Sequence, residues 1–327
     1  MQTIRWGIIG CGDVTEKKSG PGFAKAEGSD LVAVMRRDAA KAKDYAERHN
    51  VPKWYSDAKE LVHDPEVNAV YIATPPAFHL KYTIMTAEAG KPIYVEKPMA
   101  IHLKECEEMV NICRSHGVPL FVAYYRRALP RFLKVKELIE SGELGEPHSF
   151  QIFLHHPPSE IDRGPHTPWR IDPAISGGGY FIDLAPHTID FMDYLFGPIT
   201  EAHGYAVNSG GWYAAEDNVA AVFKTKKHQL GTGLWSFSTN NTVDEVRING
   251  PRGYISFASF DNKPVILQTD KGREEFLIDH PEHVQQPLIQ KVVDELRGKG
   301  TCPSTGESAL RTTRLTDEIL KSYYQTL

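Results

Sequence analysis

The first 123 residues alternate short apolar runs with longer amphipathic stretches, and this alternation constrains the fold more than any other feature of the chain. Apolar runs at 4–9, 31–35, 69–73, 93–95 and 120–123 are typical of strands buried on both faces of a sheet. The stretches 39–49, 78–89 and 103–116 have apolar residues at three- and four-residue spacing, which predicts helices. Together they predict a doubly wound α/β domain with a parallel sheet and right-handed crossovers.

From Glu216 onward the pattern changes, because strand candidates follow one another through very short, turn-rich links. The candidates are 218–223, 230–238, 245–249, 254–257, 265–268 and 274–278. Links this short indicate antiparallel pairing, and a meander is the simplest prediction. Helical patterns at 284–297 and 307–324 close the chain, with Gly298 and Gly300 expected to end the first of them.

The length of 327 residues also predicts two domains. We place the boundary near Ala123, which gives a first domain at 1–123 and a second domain at 124–327. The expected fold class is therefore α/β: an N-terminal doubly wound parallel sheet, then an α/β domain with an open, mainly antiparallel sheet.

Composition narrows the class of partner. The chain is 41% hydrophobic and 24% charged, with a net charge of -5, so it has no bulk attraction to nucleic acid or anionic lipid, and a small-molecule partner is expected. A strand-like run begins almost at the N-terminus, which leaves no room for a signal peptide, and no apolar stretch is long enough to span a membrane.

Cysteine and histidine usage bears on redox compartment and metals. Only four cysteines are present, without metal-ligand spacing, so a reducing cytoplasm fits better than a disulfide framework. His155 and His156 are adjacent on a predicted strand and would point to opposite faces. No cysteine lies between Cys113 and Cys302. We therefore expect no catalytic metal.

A glycine turn follows the first predicted strand. Gly10-Cys11-Gly12 lets the backbone turn tightly, so that a pyrophosphate can approach the amides that open the next helix, where Asp13 and Val14 lie. Two glycines alone are a weak signal, since tight turns use glycine for steric reasons. The position after strand one of a βα series favours a cofactor site. Gly20-Pro21-Gly22 is expected to break the helix that follows.

The end of the second strand bears on cofactor choice. An NAD site carries an acidic residue there for the ribose hydroxyls, but this chain has Arg36 and Arg37, followed by Asp38. Guanidinium groups match a ribose 2'-phosphate, which a carboxylate would repel, so NADP(H) is favoured. An exposed basic turn is the alternative, and Asp38 leaves NAD(H) possible.

Two further clusters carry candidate chemistry. Lys97 follows the strand at 93–95, at the sheet edge where ligands of doubly wound folds bind, and Pro98 restricts its backbone to extended conformations. Asp183 and His187 are four residues apart, hence on one face of a continuous helix. Because proline breaks the hydrogen bonding of a helix interior, we expect the stretch from Tyr180 to start as a turn and the regular helix to begin nearer Pro186. The alternative for Lys97 is a solvated side chain, and for Asp183 and His187 it is a buried capping pair. Three glycines at 177–179 allow close approach to a ligand, which favours a ligand-binding site.

These motifs resemble the glucose-fructose oxidoreductase and inositol dehydrogenase (Gfo/Idh/MocA) family over nearly the whole chain. The resemblance rests on Gly7-Ile8-Ile9-Gly10-Cys11-Gly12, on Ala73-Thr74-Pro75-Pro76 with His79, on Ala89-Gly90-Lys91-Pro92 before Glu96-Lys97-Pro98, and on Trp169-Arg170 before Gly177-Gly178-Gly179, Asp183 and His187. It implies a dinucleotide-binding domain at 1–123 and a substrate-binding and oligomerisation domain at 124–327, whose open sheet forms a dimer or tetramer interface.

The resemblance also implies residue roles. Lys97 would touch the nicotinamide and the reacting oxygen, and His187 would donate or accept the proton with Asp183 beside it. The residues implied to line the cofactor are Gly10, Cys11, Gly12, Asp13, Val14, Arg36, Arg37, Thr74, Pro75, His79, Glu96, Lys97, Trp169 and Arg170. Those implied to contact substrate are Lys97, Tyr125, Arg170, Asp183 and His187. Tyr125 departs from the asparagine that many family members have, and Pro186 is not the commonest residue before the histidine.

The resulting hypothesis is an NADP(H)-preferring oxidoreductase of a sugar, polyol or dihydrodiol, in which Lys97 and His187 flank the reacting carbon. One alternative is a glycoside-cleaving enzyme that uses a retained NAD for transient oxidation and elimination. Another is a non-catalytic, nucleotide-sensing regulator. The loop 154–168, rich in histidine and proline, is expected to contribute to substrate choice, but its sequence does not identify the substrate.

Overall fold

The computed structural model describes residues 2–164 and 168–325 and divides into two compact units. The first consists of Met1–Leu129 and Pro281–Leu310, and the second of Pro130–His280 and Arg311–Leu327. Residues 165–167 of the predicted substrate loop lie outside the described residues. The segment 281–310 belongs to the first unit, whereas the division at Ala123 assigned it to the second.

The first unit contains a six-stranded sheet in the order β3-β2-β1-β4-β5-β6, with every pair parallel. Its strands are β1 (Ile4–Ile9), β2 (Ser29–Met35), β3 (Lys53–Tyr55), β4 (Ala69–Ile72), β5 (Ile93–Val95) and β6 (Leu120–Val122). This order is that of a doubly wound dinucleotide-binding fold, so the prediction is confirmed. The strand β3 was not predicted, because its three partly exposed residues give no apolar run.

Helices cover both faces of this sheet. They are α1 (Asp13–Lys17), α2 (Gly20–Lys25), α3 (Ala39–Arg48), α4 (Ala58–His63), α5 (His79–Glu88) and α6 (Leu103–Ser115). The expected break at Gly20-Pro21-Gly22 is confirmed, since α1 ends at Lys17 and α2 begins at Gly20 with Pro21 in its first turn. Proline fits there because the first helical N–H groups have no intrahelical acceptor.

An aromatic cluster fills one face of the sheet. Tyr71 and Tyr94 are partners on β4 and β5, with stacked rings 5.1 Å apart. Phe23 lies 5.0 Å from the Tyr71 ring and 4.9 Å from that of Trp6. All four side chains are fully buried. Large aromatic areas of this kind supply much of the hydrophobic stabilisation of a core.

The helix α10 (Gln286–Leu296) packs into the same core. Its buried residues Leu288, Ile289, Val292 and Val293 belong to the cluster that contains the aromatic rings. The 3-10 turn Tyr125–Ala128 also contacts this helix. Apolar periodicity predicts that such a helix exists, but it does not identify the core that buries it. For that reason the sequence alone does not assign α10 to the core of the first unit.

The second unit contains an eight-stranded sheet in the order β14-β13-β12-β11-β7-β10-β9-β8. Its strands are β7 (Ser149–His155), β8 (Ile199–Val207), β9 (Asn218–Thr225), β10 (Leu230–Ser236), β11 (Val243–Gly250), β12 (Gly253–Phe257), β13 (Val265–Thr269) and β14 (Gly272–Phe276). The sheet is mainly antiparallel, as expected, but the simple meander is wrong. The strand β7 is inserted between β11 and β10 and runs parallel to β10.

The helices of the second unit are α7 (Pro130–Glu140), α8 (Pro173–Ser176) and α9 (Tyr180–Phe196), and α11 (Gly306–Tyr324) begins in the first unit and ends in the second. The inner face of the sheet packs on α9, where Phe181 lies 5.0 Å from the ring of Trp235 and Phe196 stacks on Phe150.

None of the helices in the described ranges 2–164 and 168–325 combines the length and the apolar character that a membrane-spanning helix needs.

The helix α9 is continuous through Pro186, so the expected turn before Pro186 is wrong. Proline removes one backbone hydrogen bond and costs about 3 kcal/mol in a helix interior. Most residues of α9 are buried, including Phe181, Ile189 and Phe191. Because tertiary packing supplies most of a helix's stability in a protein, this burial offsets the cost of the proline.

Candidate active site

The glycine turn has two residues that are glycine for different reasons. Gly10 has φ +93°, and a Cβ added there would lie 2.8 Å from the Thr74 methyl and 3.0 Å from the Ala73 carbonyl carbon. Gly12 has extended backbone, and the nearest atom to an added Cβ is 3.9 Å away. The protein itself therefore requires glycine at Gly10, whereas at Gly12 the missing side chain leaves open space in front of α1.

Cys11, between the two glycines, is fully buried, and burial raises the pKa of its thiol to about 11. Thr15 stands at the third glycine position and is also buried, with its hydroxyl donating to the Gly12 carbonyl. Asp13 is exposed and Val14 is partly exposed on the short helix α1. This turn lies where β1 and β4 separate the two halves of the sheet, the position at which doubly wound folds bind ligands.

The two arginines after β2 differ in their surroundings. The guanidinium of Arg36 lies 3.4 Å from the Cys11 carbonyl oxygen, so this cation is beside the glycine turn. Arg37 is exposed and lies over the Phe78 ring at 5.4 Å. Asp38 caps α3 by accepting the Lys41 N–H at 3.2 Å. The acidic residue is thus engaged in capping, while a basic residue is placed next to the turn.

The loop after β4 presents an unpaired hydroxyl. Among the described residues, no hydrogen-bond partner is found for the buried Oγ1 of Thr74. Pro75 is partly exposed and precedes a short 3-10 turn. A buried polar atom without a partner is unusual in a folded protein, and a bound ligand can satisfy it. Thr74 and the open space at Gly12 therefore fit a dinucleotide.

His79 is fully buried and joins two loops. Its Nε2 lies 2.7 Å from the Thr74 carbonyl oxygen, and its Nδ1 lies 3.1 Å from that of Met99 and 3.2 Å from that of Pro98. Burial lowers the pKa of His79, although these carbonyls favour the protonated ring. The imidazole connects the Thr74 loop to the loop after Lys97. This geometry makes His79 a positioning residue for both loops.

Glu96, the residue before Lys97, holds the backbone of Lys97. It is buried, and its Oε1 accepts hydrogen bonds from the Tyr71 hydroxyl at 2.5 Å and the Gln285 amide at 2.6 Å. Its Oε2 accepts the Lys97 N–H at 3.1 Å. The Tyr94 hydroxyl donates to Gln285 in turn. Lys97 itself is partly exposed at the carboxyl end of β5, and its peptide bond to Pro98 is cis.

In the second unit, the continuity of α9 places Asp183 and His187 on one face of the helix. His187 is 3% exposed. Arg170, from the 3-10 turn Trp169–Ile171, forms an ion pair of 3.6 Å with Asp183, and its guanidinium lies 4.5 Å from the Trp169 ring. The structure thus brings Arg170, Asp183 and Trp169 together. Tyr125 is partly exposed in the first unit, next to Arg126.

The three glycines before α9 have a packing explanation. Gly177 has φ +88° and ends α8. A Cβ on Gly178 would lie 2.5 Å from the Ile182 side chain, and one on Gly179 would lie 2.6 Å from the Glu216 carbonyl oxygen. The glycines allow α9 to approach the Glu216 segment, whereas the sequence interpretation assigned that close approach to a ligand.

Glu216 was not predicted, although it holds the start of α9. It is fully buried; Oε1 accepts the Gly179 N–H at 2.9 Å, and Oε2 accepts the Tyr324 hydroxyl at 2.6 Å. Burial raises the pKa of this carboxyl to about 7, although both hydrogen bonds act in the opposite direction. An isolated glutamate between turn residues carries no sequence signal for this role.

Two other neighbours of α9 were also missed. The Tyr180 hydroxyl donates to Asp162 at 2.6 Å, which ties the loop after β7 to the first turn of α9. The ring of Phe260 lies 5.9 Å from the His187 imidazole at an interplanar angle of 78°. Both contacts join residues that are distant in sequence, so local patterns could not have identified them.

The fold and the glycine turn define a dinucleotide-binding α/β protein. The profile described as "Oxidoreductase family, NAD-binding Rossmann fold" matches residues 4–124, and that of the GFO/IDH/MocA C-terminal domain matches residues 132–256. The chain therefore belongs to the Gfo/Idh/MocA family of oxidoreductases, and the family resemblance read from its motifs is confirmed.

Relatives align along almost the whole chain. Oxidoreductase P35 of Formosa agariphila is 39% identical over 315 residues, 96% of this chain and 97% of the relative. The trans-1,2-dihydrobenzene-1,2-diol dehydrogenase of Mus musculus is 30% identical over 84% of this chain and 80% of its own. The aldose-aldose oxidoreductase of Caulobacter crescentus, solved with glycerol, shares the fold with a TM-score of 0.88 at 20% identity, covering 100% and 99% of the two chains.

The contrast between Gly10 and Gly12 gives a test of the cofactor site. Gly12→Ala should change the free energy of unfolding by no more than about 1 kcal/mol but weaken nicotinamide dinucleotide binding at least about tenfold, because the methyl fills space left for a ligand. Gly10→Ala should cost about 1–3 kcal/mol of stability, because φ is positive there. Urea denaturation and fluorescence titration measure the two effects. Wild-type affinity in Gly12→Ala would contradict the assignment.

Glu216 predicts a pH dependence of stability. The folded carboxyl keeps its proton up to about pH 7, whereas the unfolded one loses it near its reference value of 4.5. The contribution of Glu216 is therefore fully present below that value and decreases as pH rises towards 7, by about 3 kcal/mol at most.

Glu216→Gln removes this titration, so its free energy of unfolding should fall less across the same pH range than that of the wild type. Urea denaturation at several pH values measures the slope. Glu274→Gln, at an exposed position on β14, is the control and should keep the wild-type slope. Parallel slopes for all three proteins would exclude Glu216 as the source.

Proposed function

We propose that this protein is an NADP(H)-preferring oxidoreductase acting on the carbinol or carbonyl carbon of a sugar, polyol or dihydrodiol. The observation that carries the proposal is the unbroken helix α9, in which Asp183 and the buried His187 share one face. Glu96 adds support from the first unit, because its carboxylate fixes the backbone of Lys97 at the carboxyl end of β5. Family membership supports oxidoreductase chemistry.

The proposed roles follow from the chemistry of each side chain. When bound, the nicotinamide accepts or supplies hydride. His187 takes or returns the proton of the substrate hydroxyl, as an imidazole can near neutral pH. The ammonium of Lys97 stabilises the negative charge that develops on the reacting oxygen. Asp183 binds a substrate hydroxyl or orients the imidazole, and Arg170 and Tyr125 contact the substrate.

The cofactor would be held by the glycine turn, by Thr74 and by the arginines after β2. Preference for NADP(H) is supported by Arg36, whose guanidinium lies beside the turn, and by the engagement of Asp38 as a helix cap. A guanidinium can pair with a 2'-phosphate in a bidentate manner. The substrate class is suggested by the mouse relative, which is named for a dihydrodiol.

We also propose that the protein forms a homodimer or homotetramer through the second sheet. Phe153, Leu234, Ala220 and Tyr205 are successive cross-strand partners on β7, β10, β9 and β8, and all four are exposed. Contiguous exposed apolar patches mark interaction surfaces.

A cytoplasmic location is proposed as well. Four free, buried cysteines support it, and cell fractionation would test it.

Removal of the proposed catalytic groups should lower turnover selectively. Lys97→Ala and His187→Ala should each reduce kcat about 100-fold or more, because charge stabilisation and proton transfer each contribute at least that much. The Kd of NADPH should stay within about threefold, since binding depends on other contacts. Steady-state kinetics and fluorescence titration measure both. Exposed Lys104→Ala and His203→Ala are matched controls, and near wild-type turnover in either test variant would contradict the roles.

Arg36 gives a test of cofactor preference. Arg36→Ala should raise the Kd of NADPH about tenfold or more, because a charge-assisted hydrogen bond is worth about 1.5–3 kcal/mol, and should leave that of NADH nearly unchanged. Exposed Arg114→Ala is the control. Nicotinamide absorbance with NADPH and NADH against sugars, polyols and dihydrodiols measures substrate class in the same experiment. Equal or better rates with NADH in the wild type would contradict NADP(H) preference.

The sheet interface is tested by Leu234→Glu, which places a charge in the middle of the apolar row. A charge buried without a partner is costly, so the oligomer should dissociate. Size-exclusion chromatography with light scattering measures the mass. Glu274→Arg, on the exposed strand β14, should keep the wild-type mass. A monomeric wild-type protein would overturn the proposed interface.

A further inference from the structure

The loop between β12 and β13, residues 258–263, is fixed by two buried charged side chains. The first is Asp244 of β11, which is 4% exposed. Its Oδ1 accepts the Ser259 N–H at 2.8 Å, and its Oδ2 accepts those of Phe260 at 2.7 Å and Asp261 at 2.8 Å. Three donors on one carboxylate leave the backbone of this turn little freedom.

The second is Arg131 of α7, which is 1% exposed. Its guanidinium donates to the carbonyl oxygens of Ala258 at 3.1 Å and Lys263 at 3.3 Å, and also to that of Asp261. Three N–H groups of the 258–263 loop thus bind a carboxylate, and three of its carbonyl groups bind a guanidinium. A negative side chain binds backbone donors of this loop and a positive side chain binds its backbone acceptors, which makes the loop a rigid part of the second unit.

The 258–263 loop contacts α9 at the residues that matter for the proposed chemistry. The hydroxyls of Ser259 and Thr188 share a buried hydrogen bond of 2.7 Å. Phe260, the next residue in the loop, places its ring edge-to-face with His187, the neighbour of Thr188 in the helix. The hydrogen bond sets the register between loop and helix, so the loop determines where the aromatic ring meets the imidazole.

From this arrangement we infer that Phe260 is a positioning residue for His187. The inference rests on the proposed function, in which His187 moves the substrate proton. The χ2 angle of histidine has broad energy wells, so the ring plane needs packing to define it. Phe260 supplies that packing and has no hydrogen-bonding group to compete for the proton. Because small errors in the geometry of a reacting group reduce rates strongly, loss of this ring slows the chemical step.

The test compares Phe260→Leu with Phe260→Tyr, which keeps an aromatic ring. We expect Phe260→Leu to lower kcat about tenfold or more, with the KM for substrate and the Kd for NADPH within about threefold, and Phe260→Tyr to recover most of kcat. Phe276→Leu, at another partly exposed phenylalanine of the second unit, is the matched control and should keep wild-type kcat. Thermal unfolding of every variant verifies folding.

A readout independent of turnover comes from NMR with ¹³C-labelled histidine. The His187 ring signal, assigned by its loss in His187→Gln, should shift in Phe260→Leu, because the aromatic ring current is removed, and should change little in Phe260→Tyr. Asp244→Asn should shift the same signal and lower kcat, because an amide nitrogen cannot accept a backbone N–H. That result would trace the effect to the loop rather than to the phenyl ring alone.

The outcomes separate two failures. The positioning role would be overturned by wild-type kcat together with an unshifted His187 signal in folded Phe260→Leu. It would also be overturned if Phe260→Tyr lost as much kcat as Phe260→Leu. In either case, an inactive His187→Ala variant would still support the proposed function. Wild-type turnover in His187→Ala would instead overturn the proposed function, and the inference with it.

Discussion

The hydrogen bonds to the buried carboxylate of Glu96 connect the parts of the first unit that surround Lys97. It receives hydrogen bonds from the Tyr71 hydroxyl, the Gln285 amide and the backbone N–H of Lys97, so a strand, the residue before α10 and the candidate catalytic lysine meet at one buried charge. A buried carboxylate is stable only when several donors surround it. Gln285, in the segment 281–310, thus supplies a donor to this carboxylate, and the backbone N–H of Lys97 is held just after β5.

The same device recurs in the second unit. Glu216 accepts a backbone N–H at the start of α9 and a tyrosine hydroxyl from α11, and Asp244 accepts three N–H groups of the 258–263 loop. Each carboxyl group accepts backbone N–H groups that have no partner in a helix or sheet. Segments without regular hydrogen bonding thereby become rigid around the helix that carries Asp183 and His187. Rigid surroundings are what a group that must transfer a proton along a defined direction requires.

The proposed cofactor site combines open space with a few polar groups. Gly10 is dictated by a positive φ and by the closeness of the Thr74 loop, whereas a Cβ added at Gly12 would meet no atom of the described residues nearer than 3.9 Å. Thr74 adds a hydroxyl without a partner among the described residues, and Arg36 adds a cation beside the turn. Open backbone and positive charge occur together here, and this combination is what supports the proposed phosphate-bearing ligand.

The sequence by itself determined the doubly wound sheet, the mainly antiparallel second sheet and the glycine turn, because all of these depend on local periodicity or on short motifs. Only the tertiary structure decided the insertion of β7 beside β10, the continuity of α9 through Pro186, the reason for the glycines at 177–179 and the placement of Glu216 and Phe260. These features depend on contacts between residues far apart in the chain, where packing outweighs local preference. A sequence pattern records which face of an element is apolar, but the identity of its neighbour is set only when the core is assembled.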